Sequence, residues 1–221
     1  MAEVKLAGVG KAYGDVKILK GIDLHIRDGE FMVFVGPSGC GKTTLGNVLL
    51  GLLRPTAGSI EWAGTDIVAS PAAIRALRRR YQKLGQEPDS AFLPDTPLGR
   101  QFAMLRRVRP ELDLKRDLPP LMESLKLHTS LLQRRPSEVS GGEAQRLAIA
   151  RILLLAPEAI VADEPTSRLD PVVQREAARL LRRCVEERSL SLLLISHDKA
   201  LLAAMADRTL DLGSCAGRVI G

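Results

Sequence analysis

An α/β domain interrupted by a helical lobe is what this 221-residue chain predicts, on three observations. Short apolar strands alternate with amphipathic helices, the rhythm of a layered α/β domain. The pentapeptide FMVFV (31–35) lacks polar alternation and runs straight into a glycine-rich turn, as a strand buried on both faces does. From about Glu87 to Pro157 the rhythm breaks. Prolines at 88, 94, 97, 110, 119, 120 and 136 punctuate short arginine-rich pieces there, which read as a helical lobe inserted between sheet strands.

Taken in order, GIDLHIRDGE alternates Ile22, Leu24 and Ile26 with polar residues, predicting a half-exposed strand and a turn at Asp28-Gly29. After FMVFV a helix is expected through Leu45, Leu49 and Leu52, stopping before Arg54-Pro55, and then a short strand at SIEWAG (59–64). Beyond Pro157 the α/β pattern resumes. AIVAD (159–163) predicts a strand, Pro171 to about Arg188 a helix, SLLLIS (191–196) a strand, then a helix and a last strand near ADRTLDL.

Composition narrows the class. Hydrophobic residues at 45% and charged residues at 26% suit a globular protein and exclude a disordered or fibrous one. Cys40, Cys184 and Cys215 stand far apart in no metal-ligand spacing, so neither a disulfide framework nor a zinc site is indicated, and a reducing cytoplasm is expected. MAEVKLAGVGKAYGD lacks the apolar core of a signal peptide, and no window reaches the roughly 18 uncharged apolar residues of a membrane span. Any membrane role is therefore expected to pass through a partner. The net charge of +6 sits largely in clusters such as Arg78-Arg79-Arg80, Arg106-Arg107 and Arg134-Arg135. Solvated helix faces account for them more simply than nucleic acid does, and aromatics at 3% leave little to stack bases on.

GPSGCGKT (36–43) follows the buried strand and opens the next helix. Gly36, Gly41, Lys42 and Thr43 fit G-x-x-x-x-G-K-[ST] at every fixed position. A loop of small residues turns its N–H groups around phosphate oxygens, and the helix N-terminus adds a favourable dipole. Lys42 would reach the β- and γ-phosphates, and the Thr43 hydroxyl would join the Mg²⁺ shell. The expected ligand is a nucleoside triphosphate.

AIVADEPTSRLD (159–170) is an apolar strand ending in two adjacent carboxylates. Side chains alternate along a strand, so neighbours serve different tasks. Asp163 would hold Mg²⁺, and Glu164 would polarise the attacking water. A strand ending in a polar turn before Pro165 would look the same; the phosphate loop tips the reading toward chemistry. His197, after SLLLIS, stands where ligands of parallel sheets bind, and Gln86, ending YQKLGQ, has the same placement with less force.

EVSGGEAQRLAI (138–149) raises a further question. Ser140 and Glu143 form a capping box at a helix start, yet Gly141 and Gly142 follow the cap, and glycine weakens a helix by about 1 kcal/mol relative to alanine.

With these pieces in order the chain resembles the ATP-binding cassette (ABC) ATPases over nearly all its length. The matching motifs are GPSGCGKT (Walker A), Gln86 in GQEPDS (Q-loop), VSGGEAQR (signature), IVADE (Walker B), SRLD at 167–170 (D-loop) and His197 (H-loop). The resemblance implies a P-loop NTPase core, with a mixed, mainly parallel sheet, flanking helices and an N-terminal antiparallel β region. It places that core at 1–86 and 158–221, and a helical subdomain with the signature at 87–157. It implies ATP and Mg²⁺ as cofactors. Nucleotide contacts would come from Tyr13 stacking on adenine, from Gly36, Pro37, Ser38, Gly39, Cys40, Gly41, Lys42, Thr43 and Thr44, and across a head-to-tail dimer from Ser140, Gly141, Gly142 and Asp170. Thr43, Gln86 and Asp163 would serve the metal, and Glu164, His197, Gln86 and Lys42 hydrolysis. In such a dimer the two glycines let backbone N–H groups approach the γ-phosphate of ATP bound to a second cassette. Val139, Glu143 and Arg168 depart mildly from the family's usual leucine, glutamine and alanine.

Most cassettes of this length energise a transporter, through a permease that would meet EPDSAFLPDTPLG (87–99). TLGNVLLGLLRPTAGSI, YQKLGQEPDSAFLP and ADEPTSRLD most resemble the peptide and nickel importer ATPases, many of which carry an extension beyond the position of Gly221. The expected setting is the cytoplasmic face of the membrane. Integral permease subunits, a second cassette and an extracytoplasmic solute-binding protein are the expected partners, with no nucleic acid. The alternatives are an exporter-type cassette, a DNA-repair or chromosome ABC ATPase, which would insert coiled coils or zinc modules, and a translation-factor ABC protein, which would carry two cassettes.

Overall fold

The computed structural model describes residues 3–68, 72, 74, 80–85, 87–165, 179, 181–187, 190–195, 206–213 and 218–220. They belong to two compact units, one built on Met1–Lys83, Glu158–Glu164 and Leu181–Gly221, the other on Leu84–Pro157 and Pro165–Leu180.

The first unit opens with two long strands, β1 (Val4–Tyr13) and β2 (Val16–Ile26), paired antiparallel. β1 is not apparent in the sequence because its pairing with β2 slips between Leu6 and Val9. The bulge there puts one extra residue into β1 and breaks the period-2 pattern, although Val4, Leu6 and Val9 are all buried. β2 begins well before the expected Gly21, and the turn at Asp28-Gly29 is present.

β3 (Phe31–Val35) is buried at every position, as its unbroken apolar run predicts. It leads through the glycine-rich turn to α1 (Lys42–Leu49), which buries Leu45, Val48 and Leu49. The expected continuation to Leu52 is incorrect. The amides of Leu50 and Gly51 bond back to Gly46 and Val48, Gly51 adopts φ +64°, and Leu52 is left exposed. A left-handed glycine after the last turn ends a helix whatever apolar residue follows.

β4 (Ala57–Trp62) pairs with β1, and β5 (Thr65–Asp66) returns along it, giving the sheet order β2-β1-β4-β5. Trp62 is fully buried, donates from Nε1 to Leu49 O at 2.7 Å, and lies 3.7 Å centroid to centroid from Tyr81. Burial pushes the Tyr81 phenol up to about 12.

β6 (Tyr81–Leu84), β7 (Ala159–Asp163), β8 (Ser191–Ile195), β9 (Arg208–Asp211) and β10 (Arg218–Ile220) complete a second sheet of order β10-β9-β3-β8-β7-β6. The β3–β8, β3–β9 and β7–β8 pairs are parallel, and β10 runs antiparallel on β9. β7 and β8, like β3, are buried throughout. The mixed, mainly parallel sheet and the antiparallel N-terminal β region match the predicted fold class. Arg80 and Glu158, flanking β6 and β7, form a two-pronged ion pair at 2.5 and 2.6 Å.

The second unit is helical where described: α2 (Leu98–Met104), α3 (Leu114–Ser124) and α4 (Gly141–Leu153), joined by short 3-10 turns. Pro119 and Pro120 lie inside α3 rather than bounding it. Asp113 caps that helix through Lys115 N and Arg116 N, and burial of Leu118, Leu121 and Met122 offsets the amides that proline cannot supply.

Candidate functional site

The turn between β3 and α1 is shaped by glycine. Gly36 holds φ +148° and Gly41 φ +99°, values that side chains rarely tolerate. A Cβ would also be crowded, since one at Gly36 would stand 2.7 Å from Cys40 Sγ and one at Gly41 2.9 Å from Ile18 Cγ2, and those side chains would have to shift. No side chain caps α1, and its first turn carries no acidic residue. Its amides and the positive end of its dipole therefore suit an anion.

Lys42 is buried and folds back over the turn, its Nζ donating to Gly36 O at 2.9 Å and Pro37 O at 3.0 Å and lying 4.0 Å from Cys40 Sγ. Tyr13, Ile18, Ser38, Gly39, Gly41, Lys42, Thr43, Thr44 and Glu164 line one cavity of about 260 Å³. Tyr13 is half exposed beside this turn, with Lys11 Nζ 5.0 Å from its ring centre. The structure thus brings together the phosphate-loop residues, Tyr13 and Glu164.

Asp163, the last residue of β7, accepts from Thr43 Oγ1 at 3.0 Å. A hydroxyl and a carboxylate side by side are hard oxygen donors, and they fit Mg²⁺, which commonly takes one or two protein oxygens and fills its shell with water and phosphate. Glu164 has left the strand. Its φ is +46°, uncommon for a residue with a side chain, and its amide bonds Ile195 O at 3.0 Å. β7 ends at Asp163, so the alternation of a strand does not extend to Glu164.

In the helical unit, Ser140 caps α4. Glu143 N donates to Ser140 Oγ at 3.3 Å, and Glu143 Oε2 accepts from Ser140 N and from Ser140 Oγ, both at 2.8 Å. These bonds hold the Glu143 carboxyl below its ordinary value, the Ser140 amide contributing most. Among the described residues, nothing lies within 4 Å of a Cβ built on Gly141. The segment 87–99 is tied down within the same unit. Gln101 accepts from Leu93 N at 2.7 Å and donates to Leu93 O at 3.0 Å and Thr96 O at 2.7 Å. Arg151 of α4 donates to Ala91 O and lies over the Phe92 ring. Leu93 itself is exposed.

Gln86, Asp170 and His197 lie outside the described residues. Sequence reasoning overlooked Lys83, whose ammonium stands 3.5 Å from Asp163. No motif contains it, and only the adjacency of β6 and β7 reveals it.

A family model described as "ABC transporter" matches residues 19–167. The oligopeptide transport ATP-binding protein OppF of Salmonella typhimurium is 36% identical over 200 residues, covering 88% of this chain and 60% of that protein. The oligopeptide transport ATP-binding protein AppF of Bacillus subtilis is 35% identical over 205 residues, covering 88% and 61%. The chain thus spans about three fifths of the length of these relatives. A dimeric structure of the ATP-binding cassette MJ0796, in a post-hydrolysis state bound to ADP and Pi, superposes with a TM-score of 0.85 at 26% identity, covering 98% of this chain and 97% of that one.

Proposed function

The chain belongs to the ABC transporter family, and from that premise we propose that it is the ATP-hydrolysing subunit of a membrane importer whose cargo is peptide. The observation that carries the dimeric half of this reading is Gly141. A residue costly to a helix stands at the start of α4, yet the described chain has open space where its Cβ would be. A glycine that its own chain does not require is explained by a ligand or partner that approaches the backbone closely.

The γ-phosphate of ATP held on the phosphate loop of one cassette meets the amides of Gly141 and Gly142 and the Ser140 hydroxyl of another. Tyr13 supports the adenine, Lys42 unfolds from the Gly36 and Pro37 carbonyls onto the phosphates, and Ser38, Gly39 and Thr44 close the cavity around them. Glu164 orients the attacking water and takes its proton, while the γ-phosphoryl leaves ADP as inorganic phosphate. Gln86, His197 and Asp170 belong to the same reading by their motifs. Thr43 and Asp163 hold Mg²⁺, which when bound neutralises charge on the phosphate oxygens.

The relatives named above are oligopeptide transport proteins, which supports peptide over nickel as cargo. The 87–99 segment, held by Gln101 and Arg151, is the surface offered to an integral permease, and an extracytoplasmic binding protein supplies the solute. Among the described residues no helix is long and apolar enough to cross a membrane, so attachment to the cytoplasmic face goes through that permease. Light scattering with and without ATP tests the sandwich, and purification in mild detergent tests the permease. A chain that stays monomeric with ATP and brings down no integral membrane protein would reject the proposal.

A further inference from the structure

Lys83, which has no part in the reaction above, reaches the carboxylate assigned to the metal, and Asn47 holds it there. Lys83 lies on β6, the edge strand beside β7. Its Nζ donates to Asn47 Oδ1 at 3.0 Å and stands 3.5 Å from Asp163 Oδ2. The other carboxylate oxygen, Oδ1, accepts from Thr43 at 3.0 Å. Thr43 and Asn47 are four residues apart on α1 and therefore share a face. One helix face thus fixes both neighbours of Asp163, directly through Thr43 and indirectly through the Asn47 amide that holds the ammonium.

We infer that Lys83 is a built-in competitor for the divalent cation at Asp163, a positioning residue that lowers the site's affinity for metal. A unit positive charge beside the carboxylate repels any cation that approaches Oδ2, and at this partly exposed surface the repulsion is moderate rather than prohibitive. The Lys83 side chain is one third exposed and that of Asp163 only 13%, so the lysine can swing to solvent when a more highly charged ion arrives. The ion pair itself is worth little, as exposed pairs are. Its effect is on selectivity. Metal arriving with a nucleotide brings phosphate ligands that outweigh the lysine, whereas metal alone does not, so the pair suppresses occupation of the site by free cations.

This inference rests on the reading of Asp163 as the metal-facing carboxylate. The test titrates Mn²⁺ into the full chain, loaded with ADP and nucleotide-free, and follows the signal of free Mn²⁺ by electron paramagnetic resonance. Lys83→Met should tighten Mn²⁺ binding by about fivefold or more, most strongly without nucleotide, while Lys83→Arg, which keeps the charge, should hold the wild-type value. In an Asp163→Asn background Lys83→Met should change nothing, since the carboxylate for which the two compete is gone. Unchanged affinity in Lys83→Met, or equal tightening in the Asn background, would overturn the competition and leave the metal site standing. Failure of the ADP-loaded wild type and variants alike to hold Mn²⁺ beyond ADP alone would instead remove the metal reading of Asp163, and this inference with it.

Discussion

The Ser140 hydroxyl and amide both donate to one oxygen of Glu143, each at 2.8 Å. The hydroxyl proposed to meet a partner's γ-phosphate is thus already committed within its own helix cap, and the proposed dimer would require its release or sharing.

The cap gives a pH dependence of defined sign. Its bonds lower the Glu143 carboxyl from 4.5, so its contribution to stability is complete above that value and is lost as pH falls through the lower, folded one. In thermal unfolding followed from neutral pH to pH about 3, Glu143→Gln should lose less stability than the wild type. Parallel curves would show that the carboxylate adds nothing to the cap.

Glu164 should be separable from nucleotide binding. Glu164→Gln keeps a polar group of the same size but cannot take a proton, so turnover should fall by about two orders of magnitude or more, while an ATP-bound dimer accumulates in light scattering. Ordinary steady-state hydrolysis in this variant would remove Glu164 from the proposed chemistry.

Gly141→Leu should fold without penalty, because the described chain leaves the Cβ position open and leucine favours a helix more than glycine does. Its unfolding temperature should match or exceed that of the wild type and ATP should still bind, while ATP-driven dimerisation is suppressed. Loss of nucleotide binding in step with dimerisation would contradict a role for Gly141 across the dimer.

Cys40 is buried, with Sγ 4.0 Å from Lys42 Nζ and 2.7 Å from where a Gly36 Cβ would lie. A bulky maleimide should react slowly, block nucleotide binding once attached, and be excluded by ATP. Cys40→Ala should retain binding after the same treatment, which sets aside Cys184 and Cys215. Labelling that ATP does not slow, or that leaves binding intact, would place the thiol away from the nucleotide.

Local order carried much of the reading. The apolar runs of 31–35, 159–162 and 192–195 could satisfy their faces only between layers, and all three lie in buried strands. The phosphate loop was legible because glycine, lysine and threonine at fixed spacing suffice to define it, and the cap because it closes within four residues. β1 was not, since a bulge between Leu6 and Val9 breaks its period, nor was the end of α1, where a left-handed glycine outweighs the apolar Leu52.

What the chain's order of residues determined by itself was whatever short-range chemistry specifies: the phosphate turn, the Ser140 cap, the buried strands and the acidic end of β7. Pairings between distant segments were decided only in three dimensions. Asp163 lies between Thr43 and Lys83, which are 120 residues from it in the first case and on a neighbouring strand in the second. The left-handed backbone of Glu164 is held by a bond to the adjacent strand. Sheet order fixes such contacts, because nothing in a residue's own neighbourhood records which strand will lie beside it.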